Sequence, residues 1–340
     1  MSQHPQAHQW ARKSIALHTL IAPSPVWGSG LQEWGTYGAM TRLIVTGDDF
    51  GLSPAVNRAI VLAHQRGLLT SASLMVGGPA AHEAVALARA HPTLAVGLHL
   101  VLCQGRSSLP HDRIPGLVDG QGHFAANPVL AGLRYFFLRS LRPQLRREIE
   151  AQLQAFGATG LVLSHVDGHL NLHLHPTILP ILLDLAEQYG IRAMRLTSDD
   201  LRVTLALDRR RLAHKLSHAA IFAALSRHAR RKIAGQRIHT ADRVYGLLQS
   251  GDMNEAFLLG LLPRIRDEVA ELYCHVGLPP CPELERWTPG YRHREEFEAL
   301  TSLRVLKAAE YGGFTLTSYR ELVERSASPS STSRPPSPIR

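Results

Sequence analysis

The 340-residue chain, 37.4 kDa in mass, has room for one large α/β domain or two ordinary ones with a sizeable buried core. Apolar residues make up 45% of it, and no apolar run approaches the roughly 20 residues of a membrane-spanning helix, which excludes an integral helical membrane protein. A formal net charge of +9 suits an acidic partner, nucleic acid or an anionic lipid surface, while three cysteines (Cys103, Cys274, Cys281) without a CxxC pair exclude a disulfide framework and point to a reducing cytoplasm.

Residues 1–39 hold three of the four tryptophans and scattered Pro and Gly without a sustained period, and are expected to be an unstructured leader. The stretch Ser14 to Ala22, after Arg12 and Lys13, makes a poor signal peptide, because His18 interrupts it and no A-x-A site follows. Met40 stands directly before the first strand, so translation starting there, with the leader a misread extension, is a second expectation.

From residue 40 to about 325, short β-rich runs alternate with longer helical patterns, the rhythm of βα units around a parallel sheet or barrel. The expected strands are Leu43 to Thr46, Ser71 to Val76, Leu94 to Val101, Leu161 to Ser164, Arg192 to Leu196, Glu271 to His275 and Phe314 to Thr317. In such folds the site collects at the carboxyl ends of the strands, where the βα loops converge on one face.

The first strand ends in TGDDFGLS. Adjacent side chains in extended backbone face apart, so one of Asp48 and Asp49 can bind a metal while the other faces a bound water; a plain turn capping a helix near Pro54 is the alternative. His99 interrupts the apolar run VGLHLVL, either as a satisfied core ring or as a ligand at the carboxyl end of the sheet. SHVDGHLNLHLHP then places His165, Asp167, His169, His173 and His175 within eleven residues. Neutral imidazoles need partners and charged ones repel, so this crowding signals a metal site, or else an exposed His-rich loop that the interleaved leucines argue against.

Arg195 closes the fifth expected strand, and a basic helical insertion is expected at about 200–240. Between Arg209 and Lys232 it holds eight Arg or Lys and no Asp or Glu. In ELYCHVGLPP, Cys274 is a packing residue and His275 is free to act as a general acid. The Ser/Pro-rich residues 326–340 are expected to be a disordered tail.

Two histidines and a carboxylate around one divalent ion leave positions for water and substrate, as hydrolysis requires. Asp48 as base and His275 as acid fit an amide-cleaving cycle. A phosphoester or cyclic amide hydrolase, and a basic module binding membrane or nucleic acid, remain as alternatives. The binding module leaves the Asp and His pattern unexplained, so nucleic acid ranks low. A non-haem iron oxygenase ranks lower still, for want of a cosubstrate motif.

At TGDDFGLSPAVNRAI, TSASLMVGGPA, VGLHLVL, HVDGH through HLHP, RAMRL and ELYCH, the chain resembles the YdjC-like carbohydrate deacetylases, specifically the branch associated with hopanoid biosynthesis, over roughly Met40 to Glu324. The resemblance implies a distorted (β/α) TIM-like barrel, one divalent metal (Mg²⁺ or Zn²⁺) and removal of acetyl groups from N-acetylated amino sugars. It implies Asp49, His99 and His169 as ligands, Asp48 as proton acceptor, His275 as proton donor, and Arg195 in contact with substrate or orienting a carboxylate; Asp167 and His173 join the expected substrate-binding residues. This branch would act on a hopanoid glycolipid, and the basic segment 209–232, with Leu133 to Arg147, is expected to rest on the inner face of a membrane. A solvated helix packed on the barrel is the alternative.

Overall fold

The computed structural model describes residues 41–279 and 282–327, so the readings of the leader 1–39 and of the tail from 328 onward lie outside the described residues. The order is β1 (Arg42–Phe50), α1 (Pro54–Arg66), β2 (Ser71–Leu74), α2 (Ala81–Ala90), β3 (Ala95–Leu100), α3 (Pro128–Phe137), α4 (Arg142–Ala158), β4 (Val166–Gly168), α5 (Ile178–Leu185) and α6 (Leu201–Leu207). There follow α7 (Leu212–Ile233), β5 (Arg243–Tyr245), α8 (Glu255–Leu261), β6 (Val269–Cys274), α9 (Pro282–Trp287), α10 (His293–Thr301), α11 (Leu303–Tyr311), β7 (Thr315–Thr317) and α12 (Tyr319–Ala327). The last helix runs two residues past the expected boundary at 325, taking Ser326 and Ala327 from the expected tail.

Every ladder among these strands is parallel, in the order β4-β3-β2-β1-β6-β5. β1 is central and covered on both faces, which is why it reads as a nearly continuous apolar run. β6 pairs with Arg42 to Gly47 along one edge, while β7 and then β2 share the other. Isolated parallel bridges, Val166 with Met194 and Ala193 with His239, link β4 towards β5. Val244 N–H also donates to Ser198 O at 3.2 Å. The result is the expected distorted (β/α) barrel, with part of its wall built from bridges in place of a full strand.

Two strand expectations need correction, and one strand was missed. The run Leu161 to Ser164 precedes the fourth strand: Val162 is 67% exposed, and the ladder on β3 starts only where Ser164 N–H donates to Val96 O. Arg192 to Leu196 makes bridges without forming a continuous strand. β5 was not expected, because three residues carry no readable period.

Local sequence fixes the loop after β1. Ser53 caps α1 by accepting from Val56 N–H at 3.3 Å, and Pro54 opens the helix, where its missing donor costs nothing. Gly51 has φ +93°, and a Cβ there would stand 3.1 Å from Met75 O and from Ala81 Cα. Buried Asn57 accepts from Gly51 N–H at 2.8 Å and donates to Ala80 O and Glu83. The turn that presents the aspartates is thereby tied to both flanking helices.

Candidate metal centre

Asp49, at the end of β1, has φ +63°. A left-handed aspartate costs on the order of 1–3 kcal/mol unless its surroundings compensate. The extended geometry expected for the Asp48-Asp49 pair is therefore corrected: the twist at Asp49, rather than simple alternation, separates the two carboxylates. Asp49 Oδ1 lies 3.0 Å from His169 Nδ1 and 3.3 Å from His99 Nε2. One donor atom from each of Asp49, His99 and His169 falls within 4.8 Å of the others, and all three residues are buried. The backbone is also left-handed just after His169, at Leu170 (φ 56°) and Asn171 (φ 56°). Thr197 holds that turn by donating to Asn171 Oδ1 at 2.6 Å.

Behind His99 stands Asp167, whose Oδ1 takes the His99 Nδ1 hydrogen at 2.8 Å. This is the carboxylate-histidine relay that orients metal-binding imidazoles. Ser73 donates to the other Asp167 oxygen at 2.7 Å. Burial disfavours charge on His99, but Asp167 and Asp49 on either side of the ring outweigh it and raise its pKa to about 10. Burial likewise disfavours charge on Asp49, and the neighbouring His169 and His99 reverse that, holding the carboxyl well below its ordinary range.

Arg195 is fully enclosed, at 0% exposure. It grips Asp48 with two bonds (Nη1 to Oδ2 at 2.8 Å, Nη2 to Oδ1 at 2.9 Å). It also reaches Glu271 Oε1 at 3.0 Å from Nε and Asp167 Oδ2 at 2.8 Å from Nη1, and its guanidinium lies 4.5 Å from the Tyr273 ring centroid. Glu271 further accepts from Thr46 at 2.8 Å and Tyr319 at 2.6 Å.

The substrate contacts expected of Arg195, Asp167 and His173 do not fit this placement. None of the three has solvent-exposed surface, because each spends its polar atoms on the wall of the site. Only the carboxylate-orienting alternative for Arg195 matches its bonds. His173 Nε2 donates to Arg195 O at 2.9 Å, and burial lowers its pKa to about 4, which keeps the ring neutral. His175 points away, towards Gly132 O at 3.1 Å. His165 packs 5.0 Å from the Tyr319 ring, filling the space that Gly97 leaves: a Cβ there would come within 2.5 Å of the imidazole.

His275 lies one residue beyond β6. Its backbone is clamped from α10: Glu296 Oε2 accepts its N–H at 2.6 Å, and His293 Nδ1 donates to its carbonyl at 2.6 Å. The ring meets Tyr273 and Tyr291 at centroid distances of 5.8 and 5.2 Å. Burial lowers its pKa, against the pull of Asp49 and Asp48. Cys274 is enclosed as expected of a packing residue, and burial pushes its thiol well up.

Two observations favour a divalent cation at Asp49, His99 and His169. His169 Nε2 is buried without a hydrogen-bond partner, and of the four buried carboxyl groups Asp48, Asp167 and Glu271 share the Arg195 guanidinium, leaving Asp49 with only the two imidazoles beside it. A second group, Asp48, His99 and Asp167, is also close enough to hold an ion. Arg195 Nη1 already fills that position, 2.8 Å from an oxygen of each aspartate.

Glu271, Ser73, Tyr273 and the Glu296-His293 clamp were absent from the expected site. Glu271 had a readable signal, as the one charge in the otherwise apolar strand VAELYC.

Comparison with known proteins gives matches over most of the chain. A family model described as YdjC-like protein matches residues 42–310. A carbohydrate deacetylase of Geobacillus stearothermophilus is 31% identical over 280 residues, 82% of this chain and 96% of that protein. One from Brevibacillus brevis is 46% identical over 150 residues, 44% of this chain and 57% of that protein. A crystal structure from Enterococcus faecalis V583, described as a candidate cellobiose-phosphate cleavage protein, superposes with a TM-score of 0.64 at 27% identity, covering 84% of this chain and 99% of that one. The chain belongs to the YdjC-like protein family.

Proposed function

We propose that the protein is a metal-dependent hydrolase that removes the acetyl group from an N-acetylated amino sugar. The observation that carries this reading is the convergence of Asp49, His99 and His169, from three separate strand ends, beside an Asp48 fixed by Arg195. Relatives described as carbohydrate deacetylases point to the acetylated sugar. A divalent ion at those three residues, when bound, supplies Lewis-acid polarisation of the amide carbonyl and lowers the pKa of water.

The chain's own residues do the rest. Arg195 sets the plane of the Asp48 carboxylate and takes one lone pair of each oxygen, leaving the others to accept the proton of an attacking water. Asp167 holds His99 with Nδ1–H turned away from Asp49 and Nε2 turned towards it. His275, its backbone pinned on both sides, supplies the proton to the departing sugar amine. The finer substrate, an amino sugar borne on a hopanoid lipid, is carried over from the sequence resemblance, and offering soluble and lipid-borne N-acetylglucosaminides side by side tests it.

Acetate release from N-acetylglucosaminides by metal-loaded protein tests the activity: turnover should vanish with a chelator and return with the metal. No acetate from either substrate form would remove the deacetylase reading. For the acid, an amine leaving group needs a proton whereas a p-nitrophenolate does not. His275→Gln should therefore lose about 10²–10⁴-fold on the amide but only a few-fold on p-nitrophenyl acetate. Equal losses on both would assign His275 to a step before leaving-group departure.

A further inference from the structure

We propose that α3 and the turn after it form a docking surface for an anionic phospholipid membrane, on the face that carries the candidate metal centre. α3 buries only Ala131 and Tyr135. Around them, Val129, Leu130, Leu133, Phe136, Phe137 and Leu138 are all exposed, Phe137 to 69% and Phe136 to 50%. Six large apolar side chains within ten residues make a patch of the kind that soluble surfaces rarely leave uncovered. Tyr135 holds the helix in place, donating to Leu102 O at 2.7 Å, just past the strand that carries His99. The partner of Gly132 O is His175, in the segment that follows His169. Leu170, next to His169, is exposed as well.

Charge selects the occupant. From Pro128 to Arg147 there are five arginines and no acidic residue. Arg139 and Arg142 are exposed, and neither has an ion-pair partner among the described residues. A second copy of the chain docked two-fold through α3 would bring this arginine set against itself. The phosphates of a nucleic acid would engage the arginines but offer nothing to four exposed aliphatic side chains. An anionic lipid surface satisfies both, with apolar groups entering the acyl boundary and guanidinium groups at the headgroups.

The basic helix α7 exposes fewer large apolar side chains than α3 and the turn after it. Phe222 and Ala219 pack on the core around Ile44 and Tyr319, while Leu212, Leu216 and Ile221 stay exposed, so its apolar stripe is divided. Ser226 on α7 donates to Thr197 O, two residues beyond Arg195, at 2.7 Å.

The test is co-sedimentation of the full chain with phosphatidylcholine vesicles, with and without 30% phosphatidylglycerol, on the order of the anionic content that gives such a surface its potential. Binding should require phosphatidylglycerol, weaken with salt, and fall at least about tenfold in Phe136→Ser/Phe137→Ser and in Arg139→Gln/Arg142→Gln. Acetate release from a soluble N-acetylglucosaminide, measured on the same samples, should be unchanged in both variants, so loss of docking and loss of the hydrolase reading are distinguishable. The proposal is overturned if wild type fails to sediment at low salt or if the double variants bind like wild type. It is also overturned if light scattering shows a dimer that the phenylalanine variant dissolves.

Discussion

Arg195→Met should cost about 3–5 kcal/mol of folding stability, the typical penalty for stranding buried charge by removing its partner. The guanidinium is the shared donor for Asp48, Asp167 and Glu271, and none of these carboxyl groups has open solvent to turn to. Methionine would fill much of the volume and supply no donor. Urea unfolding of wild type, Arg195→Met and Arg195→Met/Glu271→Gln measures the effect. The double variant should recover part of the loss, because one of the stranded carboxylates is then neutral. Arg195→Lys should fall between the two extremes, since an ammonium cannot grip Asp48 through two parallel bonds. An Arg195→Met protein as stable as wild type would show that the three carboxylates are satisfied without it.

Asp48→Asn should leave the metal in place and lower turnover about 10²–10⁴-fold, the usual contribution of a positioned general base. Asparagine keeps the shape of the side chain and one oxygen towards Arg195, but has no basic oxygen for the attacking water's proton. Replacing the other oxygen by an amide turns a donor towards the guanidinium, so a stability loss of about 1–3 kcal/mol should accompany the change. Metal content by atomic emission and acetate release, both corrected for the folded fraction, separate the effects. Full turnover in Asp48→Asn would move the base elsewhere; loss of metal would make Asp48 part of the ion's binding.

Much of this was legible in the sequence, for reasons that differ along the chain. β1, β3 and β6 are buried on both faces, so composition alone marks them, and the polar residues interrupting them (the Asp pair, His99, and His275 just beyond β6) stand out for the same reason. β5 did not show, because a three-residue strand imposes no period, and Arg192 to Leu196 read as a full strand although it makes only single bridges. The reversal at Asp49 was also hidden: a left-handed aspartate is set by the tertiary surroundings, here Gly51 and the Asn57 bonds that hold the loop. Arg195 was found as a strand-end residue, with substrate contact and carboxylate orientation both left open, and its bonds are to carboxylates. Only three-dimensional packing reveals that it faces three carboxylates in the interior. Leu133 to Arg147 was singled out by its aromatic side chains among arginines, but the exposed apolar residues Val129 and Leu130 at the start of α3 lay outside that reading.

One divalent ion per chain, held by Asp49, His99 and His169, is the premise behind both the proposed chemistry and the roles given to Asp48 and His275. Calorimetric titration of chelator-stripped protein with Zn²⁺ and with Mg²⁺ addresses it most directly. Wild type should take up one ion, and Asp49→Ala, His99→Ala and His169→Ala should each abolish uptake while remaining folded. A wild-type protein that binds neither ion, or three variants that bind as it does, would contradict it.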